Sequence, residues 1–243
     1  MTRGLQLLVM AKAPVPGRVK TRLCPPYRPE EAARLAAASI DDVLAAVRAT
    51  PAARRMLVFH GDPALVDTAG LEVLPQVAGP LDVRLAAAFS AAAGAPALLV
   101  GMDTPQMTPR LLERAGRTLA RWDACLGLAV DGGWWALGLR YPDPALLRGV
   151  ACSLPTTGRR QLGRLLRAGL SVRRLPRLRD VDVAADADAV AAQAPATRFA
   201  AAVAAVGVPR VTSDRSVIDV GRRPGDGTVR PPRSPRWGLP SGR

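Results

Sequence analysis

A chain of 243 residues, 49% of them apolar, is long enough to bury one large α/β core or two small ones, which excludes disorder throughout. Its formal charge of +14 raises nucleic acid as a partner, but only nine aromatic residues are available for stacking and the first 207 residues disperse their arginines, which weighs against that class. Three cysteines without a C-x-x-C pair exclude a zinc ribbon or disulfide framework, and His60 is the only histidine, so any metal must be held by carboxylates.

The apolar run Leu5 to Met10 predicts a buried parallel strand, closed by the loop Ala11-Lys12-Ala13-Pro14-Val15-Pro16-Gly17-Arg18-Val19-Lys20-Thr21-Arg22-Leu23. Pro29-Glu30-Glu31 opens an amphipathic helix that runs to Arg48. Met56 to Phe59 and Glu72 to Leu74 predict two more strands, and Leu81 to Ala93 a helix. Ala97 to Gly101 is the clearest buried strand and delivers Met102-Asp103-Thr104-Pro105 at its carboxyl end; a helix from Thr108 or Pro109 to about Arg121 follows. Ala124 to Val130 and Trp134 to Leu139 are β-prone runs joined through Asp131-Gly132-Gly133. A helix over 159–168, a strand over 170–175 leading to Arg179-Asp180-Val181-Asp182, and helices over 184–192 and 196–206 complete the pattern. Strands alternating with helices over some 200 residues predict one α/β domain, residues 1–207, with a sheet between two helical layers. Residues 208–243 hold six prolines and five glycines and predict a basic, disordered tail. No apolar run reaches 18 residues and the N-terminus carries no signal-peptide pattern, so the expectation is a cytoplasmic protein without a membrane span. The oligomeric state is not legible.

All but two of the 34 basic residues are arginines, and the two lysines, Lys12 and Lys20, both fall in the first loop. With Arg18, Arg22 and the bend at Gly17, they form a candidate phosphate cradle where open α/β sheets collect ligands. The loop matches neither G-x-x-x-x-G-K-[ST] nor G-x-G-x-x-G, and a solvated loop stiffened by Pro14 and Pro16 is the competing account. Asp103, at a strand's carboxyl end, suits a Mg2+ or Mn2+ ion bridging a carboxylate to a diphosphate, or equally a turn before the next helix. Asp180 and Asp182 offer further oxygens, with helix capping as the alternative use of Asp182. In Asp131-Gly132-Gly133-Trp134-Trp135 an acid, two permissive residues and two large rings meet, consistent with close approach of a substrate and stacking, or with a hairpin over core tryptophans.

Taken in order, AKAPVPGRVKTRL, GMDTP, DGGWWALGL and DVD resemble the bacterial glycosyltransferase family related to the 2-phospholactate guanylyltransferases, over about residues 5–192. The resemblance implies a glycosyltransferase A type fold, a three-layer Rossmann-like mixed sheet, binding a nucleotide sugar or nucleoside triphosphate with a divalent metal. It also implies that Lys20 and Arg22 contact phosphates, with Lys12 at the border and Thr21 beside them. Asp103 becomes the main metal ligand, completed by Asp180 or Asp182, and Asp131, with Gly132 and Gly133, lies beside the transferring group. The chain departs from the family at Met102-Asp103-Thr104-Pro105, where Ser-Asp-Cys-Pro is usual, and at Gly79-Pro80-Leu81-Asp82, where Gly-Asp-Leu-Gly is usual. Cys152 stands where a tryptophan is expected, and Trp134 where a tyrosine is.

The leading expectation is therefore transfer of a glycosyl group from a nucleotide sugar to a small-molecule acceptor, with Asp131 as candidate general base. Nucleotidyl transfer with release of pyrophosphate uses the same parts. A non-catalytic module that binds nucleotide, or an acidic polymer through the basic tail, is the reading from a different class.

Overall fold

Along β1 (Gln6–Lys12) successive side chains leave on opposite faces, so Leu7, Val9 and Ala11 join one core and Leu8 and Met10 another. Burial on both faces is what an unbroken apolar run signifies in a parallel sheet, and β4 (Ala97–Gly101) behaves alike. The computed structural model describes residues 4–207. In them a seven-stranded sheet has the order β3-β2-β1-β4-β6-β5-β7, with β2 at Arg54–His60, β3 at Glu72–Pro75, β5 at Ala124–Leu128, β6 at Trp134–Leu139 and β7 at Val172–Arg174. Every pairing is parallel except those of β6, which runs antiparallel to both β4 and β5.

Helices cover both faces. On one, α1 (Pro29–Arg48) places Ala36, Ile40, Val43 and Val47 against Leu7, Val9, Leu57 and Val100, and α3 (Pro109–Thr118) adds Leu112 and Ala115. On the other, α2 (Leu81–Ala91) supplies Leu85 and Phe89 and α4 (Thr157–Arg167) supplies Leu165. A third cluster joins Ala32 and Leu35 of α1 to Val190 of α5 (Ala184–Gln193) and Phe199 of α6 (Arg198–Val206). Asp42 fastens α6 by accepting from the backbone N–H groups of Arg198 and Phe199, at 3.0 and 2.8 Å, which satisfies donors that a helix start leaves open. Among the described residues no helix is long and apolar enough to cross a membrane.

Helix α1 occupies the span that its Pro-Glu-Glu start predicts, with Glu31 accepting from the Arg28 backbone N–H at 2.8 Å. Two expectations need correction. Helix α3 stops at Thr118 rather than Arg121, and β7 spans only 172–174, so Asp180 and Asp182 do not lie at a strand end. They sit on a loop that returns across the sheet, pinned where the Val181 N–H donates to the Asp103 carbonyl at 2.9 Å. The tail expectation, residues 208–243, lies outside the described residues.

Candidate functional site

Since β6 alone runs backwards in its half of the sheet, the β5–β6 connection falls at the edge where the parallel strands end. Asp131-Gly132-Gly133 is thereby brought to the same rim as the loop after β1, Asp103 after β4 and the 180–182 segment. A cleft of about 800 Å³ opens between them. Lys12, Lys20, Thr21, Arg22, Asp103, Asp131, Gly133, Asp180 and Asp182 all line it. Gly17, Arg18 and Gly132 do not; Gly17 bends the loop at φ 71°, and the Arg18 carbonyl accepts from Lys12 Nζ at 2.6 Å.

Lys20 is the hub. Its side chain is only 8% exposed, and its ammonium lies 2.6 Å from Asp103 Oδ1 and 3.6 Å from Asp182 Oδ1, and also donates to the Val181 carbonyl. The contact with Asp103 is close enough for an ion pair but off the angle of a hydrogen bond, leaving that shielded oxygen without a directed donor. Arg22 Nη1 donates to Asp182 Oδ2 at 2.8 Å from a side chain 68% exposed. Lys20 holds a left-handed backbone at φ 49°, and Ser153, at φ 58°, also lines the cleft. These are the two non-glycine residues with positive φ among the described ones, and such strain collects at functional sites.

Asp180 is pushed up to about 6, first by burial, then by the neighbouring charge of Asp131 and that of Asp182, with Lys20 opposing. Asp131 and Asp180, which enter no ion pair among the described residues, therefore stand beside the ion-paired group around Lys20. The described residues bring no three His, Cys, Asp or Glu side chains together as a metal cage. The donor set still fits a hard divalent cation, because Mg2+ commonly takes one or two carboxylates and completes its shell with substrate phosphates and water. Asp103 and Asp182, both partly exposed in the cleft, are carboxylates of that kind.

The facing wall is built from backbone. The Gly158 N–H donates to the Gly132 carbonyl at 2.8 Å, and a Cβ on Gly132 would lie 2.0 Å from the Pro155 carbonyl oxygen. Asp131 Oδ1 accepts from the Gly133 N–H at 2.7 Å, which aims the turn. The two tryptophans divide: Trp135 is core, donating through Nε1 to the Pro176 carbonyl at 3.0 Å, whereas half-buried Trp134 lines the cleft. Motif reasoning missed Gln76, Arg84, Ser153, Thr157 and Gly158. Arg84 was one arginine among many, and the glycine that meets the Gly132 turn has no local signature.

Solved structures share this architecture. A protein provisionally described as a nucleotide-diphospho-sugar transferase from Desulfovibrio desulfuricans G20 matches at a TM-score of 0.76 and 24% identity, over 83% of this chain and 94% of that one. A CMP:2-keto-3-deoxy-manno-octonic acid synthetase complexed with CTP matches at 0.54 and 13%, over 79% and 99%. A nucleotidyl transferase from Methanothermobacter matches at 0.50 and 16%, over 77% and 96%. The described residues thus have the nucleotide-diphospho-sugar transferase fold, a single α/β domain, while the finer kinship with 2-phospholactate guanylyltransferases rests on the motifs alone. No curated protein matches in sequence. Residues 34–154 match the model of the family DUF2064, described as an uncharacterized protein conserved in bacteria.

Proposed function

We propose that this protein transfers a glycosyl group from a nucleotide sugar to a small-molecule acceptor in this cleft. The observation that carries the reading is the Lys20 ammonium held between Asp103 and Asp182 at the ends of the parallel strands. A buried cation whose partners are partly exposed carboxylates can exchange them for a diphosphate at little cost in solvation. In this reading Lys20 and Arg22 bind the donor phosphates, and Thr21 borders them. Asp103 and Asp182 hold Mg2+ or Mn2+, with Asp180 alongside. Bound there, the ion supplies positive charge against the charge that the departing diphosphate gains. Lys20 and Arg22 stabilise the same charge once they exchange their carboxylate partners for phosphate oxygens.

Asp131 takes the general-base role, with the Asp180 carboxyl as its neighbour in the same cleft lining. Trp134 offers a ring face to the sugar or base, and Gly133 lets the substrate approach the backbone.

The test is calorimetry with UDP, GDP and their sugars, with and without Mn2+, on the wild type and Asp103→Ala. Loss of the metal-dependent part of the affinity supports the reading; unchanged affinity and metal dependence remove Asp103 from it. Pyrophosphate released from a nucleoside triphosphate panel, without turnover of any nucleotide sugar, would assign the cleft to nucleotidyl transfer instead.

A further inference from the structure

We infer that Arg84 forms a second oxyanion station in the cleft, separate from Lys20 and Arg22, which takes a carboxylate or phosphate group carried by the acceptor. The inference rests on the transferase reading and adds the acceptor's chemical class. Four cationic side chains line the cleft: Lys12, Lys20, Arg22 and Arg84. Lys20 and Arg22 are tied to carboxylates, and Lys12 Nζ donates to a backbone carbonyl. Arg84 enters none of the ion pairs among the described residues. Its one side-chain hydrogen bond among the described residues is to a neutral partner, from Nη1 to Gln76 Oε1 at 3.0 Å.

Gln76 is fixed in turn. Its Nε2 donates to the carbonyls of Ala11 and Val58 at 2.7 and 3.0 Å, so the amide must present its oxygen to Arg84. One corner of the guanidinium is therefore anchored over the ends of β1 and β2. Of the rest, Nε is buried without a partner, and Nη2 makes no hydrogen bond within the described residues. The nearest acid in sequence, Asp82, is engaged with the Gly149 N–H at 2.8 Å. A planar fork with unspent donors and no ion pair among the described residues matches the paired oxygens of a carboxylate or phosphate. Its surroundings strengthen such a contact, because Leu81, Leu85, Trp134 and Cys152 make that part of the lining apolar. Burial and then the Asp82 charge raise the Cys152 thiol and the Arg84 charge opposes the rise, so Asp82 and Arg84 both lie within electrostatic reach of it on the α2 side of the cleft, without an ion pair between them among the described residues.

The experiment is titration calorimetry on the full chain with Mg2+ and pyrophosphate at saturation, followed by malonate in one arm and inorganic phosphate in the other. The wild type binds at least one probe beside the pyrophosphate, and the arm that binds tells carboxylate from phosphate. Arg84→Met is expected to lose at least about tenfold in that affinity, and Arg84→Lys, which keeps charge without the fork, about half of the loss on a logarithmic scale. Affinity for Mg2+ and pyrophosphate should stay within about twofold in both, which also shows that the variants fold. Three outcomes overturn the station: no probe binding in the wild type, probe binding untouched by either variant, or equal losses for probe and pyrophosphate. If the wild type fails to bind Mg2+ and pyrophosphate, the transferase reading falls, while Arg84-dependent capture of a probe still upholds the station.

Discussion

On one wall of the cleft Lys20, Arg22, Asp103 and Asp182 meet through charged side chains, whereas on the other Gly133 and Pro155 are backed by Gly132 and Gly158 in backbone-to-backbone contact. Charged partners can be exchanged for a ligand's charges without moving the chain. A backbone contact with no room for a methyl group cannot give way. The difference separates a wall suited to binding and release from one suited to holding the acceptor side in a fixed shape.

The rigid wall predicts the largest effect. Gly132→Ala places a Cβ 2.0 Å from the Pro155 oxygen, on a backbone at φ 94° that side chains resist, and a carbonyl cannot swing aside as a flexible side chain can. Destabilisation of at least about 3 kcal/mol is expected by urea unfolding. Retention of wild-type stability would mean that the 152–158 segment is mobile and the contrast between the walls false. For the charged wall, replacing Lys20 and Arg22 together by alanine removes two charge-assisted contacts from a bound diphosphate. The expected loss is roughly ten- to a hundredfold in nucleotide affinity, with the circular dichroism spectrum unchanged. Unaltered affinity would return the first loop to a solvated connection.

How much of this the sequence shows depends on range. Strand β4 and helix α1 are legible because their signals are local: five consecutive apolar residues in one, a Pro-Glu-Glu start and a 3.6-residue period in the other. The charged wall is legible in its members, since Lys20, Arg22, Asp103 and Asp182 carry motif chemistry. Its wiring is not. Lys20 meets the 181–182 segment across 161 residues of chain, and the turn back from β7 depends on hydrogen bonds such as Val181 to Asp103. Gly158 and Arg84 are less legible still, because a glycine in a helix start and an arginine in an arginine-rich chain look ordinary until their neighbours are known.

Asp180 sharpens the comparison through pH. Its carboxyl is raised from 3.8 to about 6 in the folded protein, so the folded state holds its proton where the unfolded chain has released it. Stability attached to this group is full below about pH 4 and is lost as pH rises toward about 6. Asp180→Asn removes that loss, so the variant should match the wild type near pH 4 and exceed it by about 1–2 kcal/mol near pH 8, once solvent access to the site is allowed for. Urea unfolding in the presence of a chelator measures the gap. A gap that is constant with pH would show that Asp131 and burial impose no strain on this carboxyl.

The smallest effect tests the charged wall most directly. Arg22 is 68% exposed and its ion pair with Asp182 is open to water, so the pair should contribute no more than about 0.5 kcal/mol to folding. Arg22→Ala is therefore expected to leave the urea midpoint almost unmoved while weakening nucleotide binding by several-fold. The two readouts separate because the guanidinium loses little by parting from Asp182 but gains a doubly charged partner in a diphosphate. A loss of more than about 1 kcal/mol in stability, with binding intact, would make the Arg22–Asp182 contact a fastening of the 180–182 loop, and the charged wall would then be as structural as the one it faces.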